Sequence, residues 1–112
     1  MASEEHMMAG IRLINSLGMS GVAFSGYDVG GFAGEASKGL FARWMSIGAF
    51  APFYRAHSMI NSNDAEPWAF GEEVEEISKN YMKLRYQLLP TLYSKFYASS
   101  HSGLPLSESL AV

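Results

Sequence analysis

Two short β-like runs, residues 22–25 and 53–57, are separated by a stretch with helical periodicity. That spacing constrains the fold more than any other feature. A tight hairpin joins antiparallel strands, whereas a helical crossover joins parallel ones, and such crossovers are right-handed. A helical stretch also precedes the first run, and the longest one follows the second. The order is helix, strand, helix, strand, helix, then an extended tail over residues 104–112. Such alternation predicts an α/β fold with a parallel sheet. Two parallel strands are not a stable sheet by themselves, since parallel sheets are covered on both faces. The chain therefore reads as a slice of a larger layered fold.

The helical stretches carry their own signals. Residues 3–17 begin with Ser3 as N-cap, and Glu4 and Glu5 sit at the positive end of the helix dipole. Met7, Ile11, Ile14 (or Leu13) and Leu17 recur at helical spacing, and Gly18 and Gly21 mark the end. Residues 26–34 contain four glycines and read as a loop. The second helix spans residues 37–49, with Leu40, Phe41, Trp44, Met45 and Ile47 on a wide apolar face. Residues 58–70 are polar and turn-rich, and read as a loop ordered by Trp68 and Phe70. The last helix starts near Gly71, where Glu72, Glu73, Glu75 and Glu76 crowd its first turns as a solvated N-terminus. Val74, Ile77, Tyr81, Leu84, Leu88 and Leu92 form its stripe, and Pro90 should kink or split it near Leu89.

Composition excludes several function classes. The chain has 112 residues, 48% of them hydrophobic, which is globular rather than disordered. Eight basic against 11 acidic residues give a net charge of -3, without the basic patch of a nucleic-acid binder or of a protein held on anionic lipid. No apolar run approaches the roughly 20 residues that span a bilayer. There is no basic, apolar leader at the N-terminus, so the default expectation is a cytoplasmic protein. Without cysteine there is no disulfide and no thiol chemistry. The histidines His6, His57 and His101 lie far apart, so no metal and no cofactor is expected. The glycines near Gly26 miss the dinucleotide spacing. Gly39 after Lys38 rules out a phosphate loop, and no Ser occupies a nucleophile elbow. Fifteen aromatic residues and 7 Met are more apolar surface than a domain of this size readily buries.

One group of polar residues remains. Asp28 follows the first predicted strand, within Gly26-Tyr27-Asp28-Val29-Gly30-Gly31-Phe32, and Arg55-Ala56-His57 ends the second. In parallel α/β folds ligand-binding groups collect at the C-terminal ends of strands. Asp28, Phe32, Arg55 and His57 would then share one rim. Carboxylate and imidazole bond hydroxyls and a ring packs on a pyranose, so the set suits a sugar. Structural roles suit the same residues: Asp28 as a turn residue, Arg55 as its ion-pair partner, His57 bonded to a carbonyl.

Longer blocks add a resemblance. Gly18-Met19-Ser20-Gly21-Val22 and Ser25-Gly26-Tyr27-Asp28-Val29-Gly30-Gly31-Phe32 are followed by Arg43-Trp44 and Gly48-Ala49-Phe50. Pro52-Phe53-Tyr54-Arg55-Ala56-His57-Ser58, Glu66-Pro67-Trp68 and Leu84-Arg85-Tyr86-Gln87-Leu88-Leu89-Pro90-Thr91-Leu92-Tyr93 complete the series. These ordered blocks cover most of the chain. Together they resemble glycoside hydrolase family 31, the α-glucosidase and α-xylosidase family.

The resemblance implies a partial (β/α)8 TIM barrel: its last two βα units with a preceding helix and an extended C-terminal tail. Residues 1–103 would belong to the catalytic barrel and residues 104–112 would begin the following β-rich domain. A whole barrel takes about 250 residues, so this length cannot close one. The implied chemistry is retaining hydrolysis of terminal α-glycosidic bonds by two carboxyl groups about 5 Å apart. By the same resemblance the nucleophile Asp and the acid/base Asp both lie upstream of the blocks present, so no catalytic residue is assigned and the isolated chain is predicted inactive. His57 would hydrogen-bond the sugar, Phe32 would line its pocket, Asp28 would support the pocket floor, and Arg55 would be a neighbouring structural cation. The implied partner is a carbohydrate, an α-glucoside or α-xyloside, in the parent enzyme. A complementing barrel portion is a further partner. The alternative is a self-associating homo-oligomer, an α/β structural or interaction module without a sugar site.

Overall fold

The computed structural model describes residues 2–107. Its order is α1 (Glu4–Met19), β1 (Gly26–Val29), α2 (Lys38–Gly48), β2 (Phe53–Ala56), a 3-10 turn (Pro67–Phe70) and α3 (Glu72–Ser102). The two strands pair in parallel, with Gly26 opposite Phe53, Tyr27 opposite Tyr54, Asp28 opposite Arg55 and Val29 opposite Ala56. The expected α/β alternation and parallel pairing are therefore present. Three helices and a two-stranded sheet make up the regular structure among the described residues.

Local chemistry sets the helix starts. The Ser3 hydroxyl accepts from the His6 N–H at 3.1 Å, and the Ser37 hydroxyl accepts from the Leu40 N–H at 3.2 Å. Each satisfies a donor that the helix itself leaves open. The core gathers where α1, β1, α2 and α3 meet: Met7, Val29, Leu40, Phe41, Trp44, Met45 and Val74. Phe41 is fully buried and stacks on Phe70, with ring centroids 4.3 Å apart. This stack ties the 3-10 turn to α2. Gly48 brings the α2 backbone close to the sheet, because a Cβ there would lie 2.8 Å from Val29 and 2.9 Å from Tyr54.

Three sequence expectations change. The first strand is Gly26–Val29, not residues 22–25, so half of the expected glycine loop is the strand itself. The turn begins only at Gly30 and Gly31, whose φ angles of 91° and 87° suit glycine. α3 runs through Pro90 as one helix, so it does not split near Leu89. Proline removes one helical hydrogen bond, from its own position to the carbonyl four residues back. Pro90 and Tyr86 are both exposed, so that loss faces solvent and disturbs no packing. The buried line of α3 is also shifted: Val74 and Ser78 are buried with Met82 packed beside them, while Ile77, Tyr81 and Leu84 are only half-buried. On α1 the expected Ile14 is indeed buried, and Leu13 is exposed.

The tail has no regular element over residues 103–107, and the expected extended stretch over 108–112 lies outside the described residues. Pro105 and Leu106 are buried, and the Ser107 hydroxyl donates to Asn15 Oδ1 at 2.6 Å. A Cβ on Gly18 would lie 2.8 Å from Pro105, so α1 receives the tail closely.

Ser78 is fully buried, and its hydroxyl has no hydrogen-bond partner among the described residues. A buried unpaired hydroxyl costs about 1–3 kcal/mol, and alanine is also the better helix former. Ser78→Ala is therefore expected to raise stability by about 1 kcal/mol. Urea denaturation followed by circular dichroism checks this, and a destabilised variant would show that the hydroxyl is bonded.

Candidate functional site

The alternation of side chains divides the sheet into two faces. Tyr27, Val29 and Tyr54 turn toward the helices, and Asp28 and Arg55, opposite each other in register, share the other face. The Tyr54 hydroxyl donates to the Met45 carbonyl at 2.9 Å, and the Tyr27 ring lies 6.5 Å from Trp44. Burial pushes both tyrosines up to about 12, so they are neutral packing groups across the physiological range.

On the open face Arg55 Nη2 lies 3.3 Å from Asp28 Oδ1. The Arg55 guanidinium also sits 5.4 Å above the centre of the Phe53 ring. Asp28 lies inside β1, not beyond its end, because the strand starts later than its sequence suggested. The pair is partly open to solvent, so its contribution to stability is small. What it supplies is a fixed arrangement of polar atoms.

The second half of the rim is aromatic. Phe32 and His57 stack with ring centroids 5.7 Å apart and an interplanar angle of 26°. Both are exposed. The Met59 N–H donates to the Phe32 carbonyl at 2.9 Å, which pins the loop after β1 to the loop after β2. The Gly31 N–H donates to the Asp28 carbonyl at 2.9 Å and closes the turn that leads to Phe32. The structure thus brings the four residues together as two contacting pairs, Asp28 with Arg55 and Phe32 with His57. Both pairs belong to the C-terminal ends of the parallel strands and the loops that follow them.

Chemically, the rim offers a carboxylate, a guanidinium, an imidazole and an aromatic face. These groups bind hydroxyls and stack on a ring. Among the described residues no cluster of His, Asp or Glu is arranged to hold a metal ion. No helix among them is long and apolar enough to cross a membrane.

Arg85 has no role legible in the sequence beyond its place in a resembling block. Its guanidinium reaches from α3 to the turn before β2, where it donates to the carbonyls of Ala49, Ala51 and Pro52. Burial lowers its pKa, and the neighbouring Tyr54 works in the opposite direction. The available signal was a lone charged residue near the start of a mostly apolar block, Leu84 to Leu92.

Known proteins match nearly the whole chain in sequence and in backbone fold. The profile of the glycosyl hydrolases family 31 TIM-barrel domain matches residues 1–95. Alpha-glucosidase 2 of Bacillus thermoamyloliquefaciens is 47% identical over 106 residues, which is 95% of this chain and 14% of that protein. The glucosidase 2 alpha subunit of Schizosaccharomyces pombe is 42% identical over 106 residues, 95% of this chain and 12% of that protein. Among solved structures, the family 31 alpha-glucosidase from Bacteroides thetaiotaomicron superposes with a TM-score of 0.89 at 39% identity, over 93% of this chain and 18% of that one. The chain thus spans only a small part of the relatives it matches. Within that part, sequence and fold agree, and the chain belongs to glycosyl hydrolase family 31, as part of its TIM-barrel domain.

Proposed function

We propose that this chain supplies the sugar-binding rim of an α-glucosidase-type barrel and does not carry the catalytic pair. The observation that carries the reading is the presence of the Asp28–Arg55 ion pair and the Phe32–His57 stack at the C-terminal ends of two parallel strands. In TIM-barrel enzymes the active site occupies that end. His57 holds a hydroxyl of a terminal α-glucosyl or α-xylosyl residue, Phe32 walls the pocket, and Asp28, braced by Arg55, supports its floor. β1 and β2 are the last two strands of the barrel, and the residues after Gly103 begin the next domain. The name of one relative, Alpha-glucosidase 2 of Bacillus thermoamyloliquefaciens, supports the substrate class. A solved family relative, a dextranase from Flavobacterium johnsoniae, was captured with glucose.

Retaining hydrolysis needs two carboxyl groups about 5 Å apart. Asp28 has a cation, Arg55, as its bonded partner, which suits a supporting role. The isolated chain is therefore inactive, and a complementing barrel portion restores the missing carboxylates. The self-associating alternative draws on exposed apolar residues such as Phe24, Phe50, Phe53, Ile60 and Leu104. A homo-oligomer that ignores sugars would favour it.

Titration of the chain with methyl α-glucoside, followed by amide NMR, tests the proposal. Shifts should concentrate at Asp28, Phe32, Arg55 and His57. His57→Ala removes a polar contact to the sugar, and binding should weaken at least about tenfold, a change of about 1.4 kcal/mol. Shifts spread evenly over the surface, or unchanged in the variant, would overturn the assignment.

A further inference from the structure

β2 is a strand of four residues that pairs on one side only among the described residues. On its other flank it does not close against α3. An apolar cleft of about 440 Å³ lies between them, lined by residues of both elements, including Phe53, Tyr54, Met82 and Leu89. One charged side chain of α3 reaches across. Arg85 Nη1 donates to the Ala49 carbonyl at 3.0 Å and to the Ala51 carbonyl, and Nη2 donates to the Pro52 carbonyl at 2.9 Å. Its guanidinium also lies 5.5 Å from the centre of the Tyr54 ring.

These three carbonyls belong to the turn that launches β2. Ala49, Ala51 and Pro52 are buried, so water offers little substitute for the guanidinium. Pro52 brings no N–H of its own to the turn. Tyr54 adds a second tie, because its hydroxyl bonds the Met45 carbonyl in the last turn of α2. Arg85 and Tyr54 together lock the end of α2, the turn and the first half of β2 into one unit. The second half of β2 carries Arg55, and His57 follows directly.

We infer that Arg85 is a positioning residue for the rim: by clasping three carbonyls of the α2–β2 turn it sets where β2 lies, and so where Arg55 and His57 meet Asp28 and Phe32. The inference rests on the sugar-rim reading for its functional consequence, but the geometric part stands on its own. A lysine keeps the charge and cannot reproduce the planar fork that serves several carbonyls at once.

The test compares the full chain with Arg85→Lys and Arg85→Ala by NMR, with and without methyl α-glucoside. The readout is the ring-current shift that Phe32 imposes on His57, together with the amide signals of Arg55, Ala56 and His57. In Arg85→Lys the His57 shift should fall toward its unstacked value and sugar affinity should weaken about tenfold. In Arg85→Ala both losses should be larger, and millimolar guanidinium should restore the His57 shift in part. A wild-type His57 shift in the lysine variant overturns the inference, whatever the sugar does. If the shift moves as expected while the wild-type chain ignores the sugar, Arg85 keeps its positioning role and the sugar-rim reading fails instead. Should Arg85→Ala unfold, the lysine variant alone decides.

Discussion

Phe41→Ala is expected to remove about 3–5 kcal/mol of folding stability. Phe41 is fully buried, and its ring stacks on Phe70 at 4.3 Å. It also supports the turn after β1, since a Cβ on Gly30 would lie 3.0 Å from the Phe41 ring. Truncation therefore empties the space beneath the loop that carries Phe32. Domains of ordinary stability hold only about 5–15 kcal/mol in total, so much of the variant should be unfolded at room temperature. Urea denaturation monitored by tryptophan fluorescence measures the loss, because Trp44 belongs to the same core. A loss below about 1 kcal/mol would show that this core does not hold the fold.

Gly26→Ala should be nearly as damaging, for a different reason. A Cβ at position 26 would lie 2.3 Å from the Phe53 carbonyl oxygen and 3.0 Å from the Phe53 Cβ. The obstruction is backbone, held in place by the Phe53 N–H donating to the Ser25 carbonyl at 3.1 Å. Nothing flexible can yield, so the strands must part. Overpacking of this kind costs about 1–3 kcal/mol and occasionally more. Here it also disrupts the register that sets Asp28 opposite Arg55. The expected result is a lower melting temperature together with loss of the amide shifts that mark the rim. A variant that melts with the wild type would contradict the close approach of the two strands.

Gly26 also shows where sequence reasoning reached its limit. Val22, Ala23, Phe24 and Ser25 have the better strand character, and a segment with four glycines reads as a turn. The strand forms instead at Gly26–Val29, because pairing with β2 needs a residue without a side chain opposite Phe53, and because Val29 is buried in the core. Both requirements come from partners far away in the chain. Local propensity does not carry them. The helix starts were legible, since Ser3 and Ser37 each accept from an N–H only three residues on. Pro90 was legible as a proline and not as a survivable one, because that depended on which face of α3 meets α2.

The candidate rim was legible in identity and less so in geometry. Asp28, Phe32, Arg55 and His57 stand near the ends of the two strands, and simple parallel topology brings them near each other. The Asp28–Arg55 ion pair was already legible as a structural role for Arg55, whereas the Phe32–His57 stack goes with the Met59 to Phe32 tie, which no local pattern announces. Arg85 was the least legible of all. Its three acceptors are backbone carbonyls more than thirty positions earlier, and a carbonyl leaves no mark in a sequence.

On this reading the rim residues bind a sugar and leave the bond-breaking carboxylates to another part of the barrel. Release of nitrophenol from a chromogenic α-glucoside by the purified chain tests it most directly, with Asp28→Asn measured beside it. The predicted result is no turnover in either protein. Turnover by the wild-type chain that Asp28→Asn abolishes would make Asp28 a catalytic residue and overturn its supporting role.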